Sequence, residues 1–188
     1  MSAFEKALKS HMDAYHLELG RMTALFTDFD ALIRDAVIDL LACTEEAIGT
    51  WLVAPVDFSR KIEMFEWLID HHIQRVGEPA ASETARVREL LPQVKDKWNK
   101  RNDHVHGMRM YDRRKGTYVL LNPRAFRQKR SKANTPRSVT IDANQLAAEN
   151  QQSIRLLIEL HKSIPPLLRL LNPVSAIRQR AGATDETP

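Results

Sequence analysis

The sequence predicts a mainly α-helical fold with a small β-hairpin inserted late in the chain, over about residues 116–141. Three observations predict it. Apolar residues recur at spacings of three and four over most of the length, which gathers them on one face of a helix. Proline, glycine and capping residues punctuate that pattern at intervals suited to helices. Only two short stretches, after Lys115 and after Pro136, are rich in β-branched and aromatic residues.

Residues 3 to about 52 read as helix, with Leu8, Met12, Tyr15, Leu19, Met22, Phe26, Phe29 and Ile33 on one face. Gly20 either divides this stretch or softens it. Pro55 ends it, because the residue before a proline is pushed out of the α region. A second helix runs from about Phe58 to Val76 and buries Ile62, Phe65, Leu68, Ile69 and Ile73. The loop GEPAAS follows, and Ser82 is placed to cap the next helix, from about Glu83 to His106. Pro92 is expected to kink that helix or to open a new turn. Its apolar stripe is Val87, Leu91, Val94, Trp98 and Val105, and Gly107 is placed to end it as a left-handed residue. GTYVLLN (116–122) and RSVTI (137–141) read as strands joined by a long basic loop. Asp142 then caps a last helix, with Gln145 completing a capping box. Pro165 and Pro166 are expected to interrupt it after Ile164, and a final turn reaches Leu171. The helices form a single domain over residues 1–172, with the basic insertion at about 107–141 and a disordered tail at 173–188.

The 188 residues, 43% hydrophobic and 28% charged, suffice to bury a core without staples. The one cysteine, Cys43, cannot make an internal disulfide; at the end of an apolar run it reads as a core residue, and a reducing, cytoplasmic setting is expected. No signal peptide opens the chain, and no run of about 18 apolar residues would span a membrane. The net charge of +4 conceals an asymmetry. Residues 107–137 hold ten Arg or Lys against one acid, Asp112, a net +9, which leaves −5 for the rest. A basic block on an acidic body is the electrostatic footprint of a protein that meets phosphate-rich partners.

Candidate chemistry centres on WNKRNDHVHG, residues 98–107. His104 and His106 are two apart, roughly 200° around a helix, which does not suit chelation of one ion. No cluster with zinc-ligand spacing exists, so no metal site is expected. Gly-rich phosphate loops and Gly-x-Ser-x-Gly elbows are absent, and no cofactor is expected. An arginine followed by His after four to six residues arises by chance about twice in a chain of this composition, and it occurs twice, at Arg101–His106 and Arg155–His161. The second pair encloses LLIEL and reads as an amphipathic core helix. The first differs in its filling. Asn102 and His106 are four apart and share a helix face, Arg101 lies beside them, and all three fall where the stripe of Val94 and Trp98 should continue. Polar groups in such a place satisfy one another, a partner or a ligand, because an unpaired buried charge is costly.

A helical body with a late helix carrying Arg101-Asn102-x-x-x-His106-Gly107 resembles the HEPN superfamily, helical domains of prokaryotic toxins, phage-defence proteins and RNA-processing enzymes. The resemblance covers about residues 20–106 and 142–171 as a fold pattern and seven residues as a motif. It implies an antiparallel helical bundle and a metal-independent endoribonuclease acting by ribose 2′-hydroxyl attack. In that reading His106 is the general base, Arg101 holds the scissile phosphate, Asn102 orients one or the other, and His104 is an auxiliary group, solvated or at a dimer seam. It further implies a homodimer whose two motifs share one cleft, and an antitoxin or inhibitor protein as a further partner. The chain departs from one subgroup that carries a tyrosine two residues after the His; Met108 stands there, and Tyr111 is three residues further. RNA is the expected partner of the basic segment, through Arg109, Arg113, Arg114, Lys115, Arg124, Arg127, Lys129 and Arg130, with Tyr111, Tyr118 and Phe126 available to stack on bases. The competing expectation is a dimeric helical module that binds RNA or a partner without cleaving it. Duplex DNA ranks below RNA, since no recognition helix is evident.

Overall fold

The computed structural model describes residues 3–41, 46–76, 81–112, 117–121, 138–140 and 142–171. It is mainly α-helical. The helices are α1 (Ala3–Leu40), α2 (Glu46–Val53), α3 (Phe58–Val76), α4 (Ala81–His106) and α5 (Ala143–Leu171); the strands are β1 (Met108–Asp112), β2 (Thr117–Leu121) and β3 (Ser138–Thr140). Cys43, the loop GEPA, the basic residues from Arg113 to Lys115 and from Arg124 to Arg130, and the tail beyond Leu171 lie outside the described residues.

The chain forms two compact units, and α1, α4 and α5 contribute residues to both. Residues 27–95 and 155–188 make the more apolar one. Its core holds Phe29, Ile33 and Val37 of α1, Ile62, Phe65 and Ile69 of α3, Val87, Leu91 and Val94 of α4, and Leu160, Ile164 and Leu167 of α5, all essentially inaccessible. Each such side chain contributes about 1.5–3 kcal/mol on burial. The spacing of three and four that marked these positions in the sequence is thus the contact face of each helix. Lys61 is buried among them and meets Asp30 at 2.8 Å, so its charge is paired.

Residues 1–26 and 96–154 make the second unit. Tyr15, Met22, Phe26, Val119, Leu120 and Leu146 are its buried apolar residues, and it also buries Glu18, Asn150 and Ser153. Phe26 packs on Trp98 with ring centroids 5.6 Å apart. The sheet is antiparallel in the order β1-β2-β3. The expected pairing of β2 with β3 is present, with Val119 opposite Thr140 and Leu121 opposite Ser138. A strand that the charged sequence disguised precedes it: β1 pairs along its whole length with β2, Met108 opposite Leu121 and Asp112 opposite Thr117. The basic segment therefore opens as a strand directly after α4.

Several boundaries depart from expectation for identifiable reasons. The first helix stops at Leu40, where the His72 ring meets the Leu40 carbonyl at 2.9 Å and occupies one of the acceptors a helix end leaves open. Gly20 lies inside an unbroken α1. Ser82 is the second residue of α4, not its cap, and gives its hydroxyl to Glu83. Pro92 and Pro165–Pro166 sit within continuous helices. The carbonyls they leave without a donor belong to Arg88, His161 and Lys162, which are all exposed, so water can serve them. Asp142 caps α5 as expected, accepting from the Asn144 amide at 2.8 Å. No helix among the described residues is long and apolar enough to cross a membrane.

Candidate functional site

The motif occupies the last turn and a half of α4, within the second unit. The inward face of α4 passes through Val94, the half-buried Lys97 and Trp98, then Arg101, then His104 and Val105. Polar side chains thus take over an inward helical stripe as it approaches β1.

Arg101 is half-buried. Its guanidinium carbon lies 5.1 Å from the Trp98 ring centroid, and its Nη1 donates to Asn102 Oδ1 at 3.0 Å. Its Nε is buried and has no hydrogen-bond partner among the described residues. Burial alone depresses its pKa, which leaves a guanidinium still cationic at any physiological pH. Arg101 and Asn102, neighbours in sequence, are therefore in contact. His106 is exposed at the helix end, without a hydrogen-bond or ion-pair partner among the described residues.

His104, expected as an auxiliary group that is solvated or at a dimer seam, is not solvated but points inward. Its side chain is only 15% exposed, Nδ1 lies 3.0 Å from the Tyr15 hydroxyl, and Nε2 lies 3.9 Å from Glu149 Oε2. The reason is the stripe: a step of three from Arg101 keeps residue 104 on the inner face, while His106, expected on that face with Arg101 and Asn102, turns outward. Burial pushes the His104 pKa below the ordinary imidazole value. Glu149 and Asp103 pull the other way, but a carboxylate 3.9 Å away does not overcome the desolvation. Glu149 Oε2 is itself buried without a hydrogen bond among the described residues. Tyr15, fully buried, has its phenol pKa raised by burial, with Arg109 opposing.

Two features escaped the sequence reading. Asn150, buried on α5, donates to both the backbone carbonyl and the carboxylate of Glu18 at 2.9 Å, which ties α5 to α1 beneath this cluster. His16, next to Tyr15 on α1, receives Arg109: Nη1 lies 3.1 Å from His16 Nε2, and the guanidinium carbon lies 5.7 Å from the Tyr15 centroid. The signal was present in the alternation of polar and apolar residues at stripe positions, Tyr15 in α1 and Asn150 between Leu146 and Ser153 in α5. Among the eight cations assigned to RNA, Arg109 alone is among the described residues.

Gly107 joins α4 to β1, and its amide still bonds to the Asp103 carbonyl at 2.9 Å. It is not left-handed, contrary to the expectation. A Cβ there would run into the Asp103 carbonyl oxygen and come within 2.5 Å of the Leu120 side chain. The glycine thus permits a close approach of the helix end to β2. Among the described residues no three His, Cys, Asp or Glu side chains gather as metal ligands. Comparison of the chain with family models, with curated proteins and with solved structures finds no match.

Proposed function

We propose that the chain is a HEPN-like endoribonuclease that cleaves RNA by attack of a ribose 2′-hydroxyl on the adjacent phosphate. The observation that carries this reading is Arg101: a half-buried cation at the end of an apolar stripe, held against Trp98 and Asn102, with a buried Nε that has no hydrogen-bond partner among the described residues. A fixed guanidinium of this kind suits the extra negative charge of a pentacoordinate phosphorane. His106, one turn on and exposed to solvent, takes the 2′-hydroxyl proton. The new 2′-oxygen–phosphorus bond forms as the phosphorus–5′-oxygen bond breaks. The 5′-oxygen leaves with a proton from a second histidine, supplied by the other copy in a two-fold homodimer. Products are a 2′,3′-cyclic phosphate and a 5′-hydroxyl. Base and phosphate clamp are both side chains, so the scheme calls for no metal. The bundle architecture of that superfamily, a cytoplasmic role in phage defence, a toxin system or RNA processing, and an inhibitor protein belong to the same proposal.

A non-catalytic, dimeric RNA-binding module is the second reading. One observation favours it: His106 lacks a side chain to orient it among the described residues. The two separate by product. His106→Ala is expected to lower cleavage by about 10²–10⁴-fold, the usual contribution of a general base, with its circular dichroism melt unchanged. Equal cleavage by that variant, or cleavage abolished by a chelator, would overturn the nuclease reading. A salt-sensitive shift of intact RNA would leave the binding module.

A further inference from the structure

Arg109 and His16 come from distant parts of the chain and meet on the surface of one unit. Arg109 is the second residue of β1, three positions after the motif histidine; His16 lies on α1. Both are exposed. A guanidinium has no acceptor, so in the 3.1 Å contact from Arg109 Nη1 it is His16 Nε2 that accepts. Arg109 is also held against the Tyr15 ring at 5.7 Å, so its position rests on two contacts with α1. Among the described residues, Tyr15 on α1 and His104 on α4 interact with Arg109, and Asp103 on α4 and Glu149 on α5 act in turn on His104. Among these, Glu149 stands behind His104, whereas Asp103 is exposed.

We propose that Arg109 and His16 form a phosphodiester subsite beside the motif, and that its occupancy is linked to protonation of His16. In the free protein one N–H of Arg109 is directed to His16, and the guanidinium also engages Tyr15, so an entering anion competes with both contacts. A phosphate oxygen entering between the two takes the guanidinium donors and releases His16 Nε2. That nitrogen then binds one proton from solvent and donates it to the same phosphate, making a second charge-assisted hydrogen bond. The exchange is balanced: one proton taken up per phosphate bound, and one Arg–His hydrogen bond replaced by bonds to the anion. Both side chains are on the surface, so rotation about their own bonds admits the ligand. The ligand is the sugar–phosphate backbone of a single strand, since the segment that begins at Arg109 carries the chain's positive excess.

The test uses the full chain and a 2′-deoxy oligonucleotide, which cannot be cleaved by 2′-hydroxyl attack; the subsite therefore stands or falls separately from the nuclease reading. Binding is measured by fluorescence anisotropy at fixed salt between pH 5.5 and 7.5. The wild type is expected to bind about tenfold more tightly at the lower pH, as one charge-assisted hydrogen bond is gained. His16→Gln keeps an acceptor for Arg109 but cannot titrate, and its binding should lose that pH dependence; any part that survives belongs to His104 or another histidine. Arg109→Gln should weaken binding at both pH values. Nitrogen-15 imidazole spectra give the second readout: the Nε2 signal of His16 should move to the protonated position on addition of the strand. Inorganic phosphate serves as a separate arm, and a shift with phosphate but none with the strand would mean a free-anion site, which overturns the backbone assignment. A His16→Gln profile as steep as the wild type's, or an unresponsive His16 signal, would overturn the proposal altogether.

Discussion

Two histidines two residues apart have opposite fates, and the difference is testable at the level of single side chains. His104 is largely but not fully buried, and its pKa is held below the ordinary imidazole value chiefly by desolvation. The folded state therefore prefers the neutral ring. Its contribution to stability is complete above the unfolded imidazole value near 6.5 and is lost as pH falls through the lower folded value. Thermal melts from pH 8 to pH 5 should show the wild type losing stability on the acid side, with a smaller loss in His104→Gln. Parallel curves for the two proteins would mean that His104 does not carry the effect. Gly107 makes the second residue-level case. Any β-carbon meets a backbone carbonyl as well as Leu120, and the carbonyl cannot move without disturbing the last turn of α4. Gly107→Ala should cost about 1–3 kcal/mol, the range for overpacking, read from urea denaturation. Shortening Leu120 in the same chain should recover only part of it, because the Asp103 contact persists.

At the scale of elements, helix ends decide what the sequence could and could not reveal. Asp57 accepts from the amides of Ser59 and Arg60 at 2.9 and 3.3 Å, which makes it the cap of α3. Asp57→Ala should destabilise the protein by about 1 kcal/mol, as cap deletions do, with the denaturant slope unchanged. The apolar stripes of α1, α3 and α4 were readable because a period of 3.6 is imposed by burial over many turns; the stripe positions from Tyr15 to Ile33, Leu19 excepted, and from Val87 to Val94 are inaccessible or nearly so. What was misread is what depends on other parts of the chain. The end of α1 at Leu40 involves a ring from α3, and the continuity of α4 and α5 through their prolines depends on which side of the helix faces water. Strand β1 was hidden because its sequence, MRMYD, alternates without β-branched residues and owes its conformation to pairing with β2. The Arg101–Asn102 contact was readable from adjacency on a polar stretch of the stripe. The inward turn of His104 was not read, although its step of three from Arg101 carries it, and the partners it meets, Tyr15 and Glu149, lie 89 and 45 positions away and carry no local signature.

Over the whole molecule the deciding quantity is the distribution of charge. Residues 107–137 carry a net +9 while the rest carries −5, so a polyanion is drawn to one segment and repelled by the body. Geometry is not required for such a segment to bind; charge density suffices, because each phosphate neutralised releases condensed counterions. For a single strand, the logarithm of the binding constant then falls with the logarithm of salt concentration by about 0.7 per phosphate contact. Replacing Arg113, Arg114 and Lys115 together by Gln removes three cations of the segment without touching Arg101, Asn102, His106, His16 or Arg109. The expected result is a slope shallower by about two for binding to a 2′-deoxy strand in a potassium chloride series. The same change should leave the pH dependence assigned to His16 intact, since that depends on one hydrogen bond and not on the summed field. An unchanged slope would locate the phosphate contacts elsewhere. Loss of both the slope and the pH dependence would mean that the strand reaches Arg109 only after the downstream cations have captured it, and would order the two events: capture by the basic segment first, delivery to the end of α4 second.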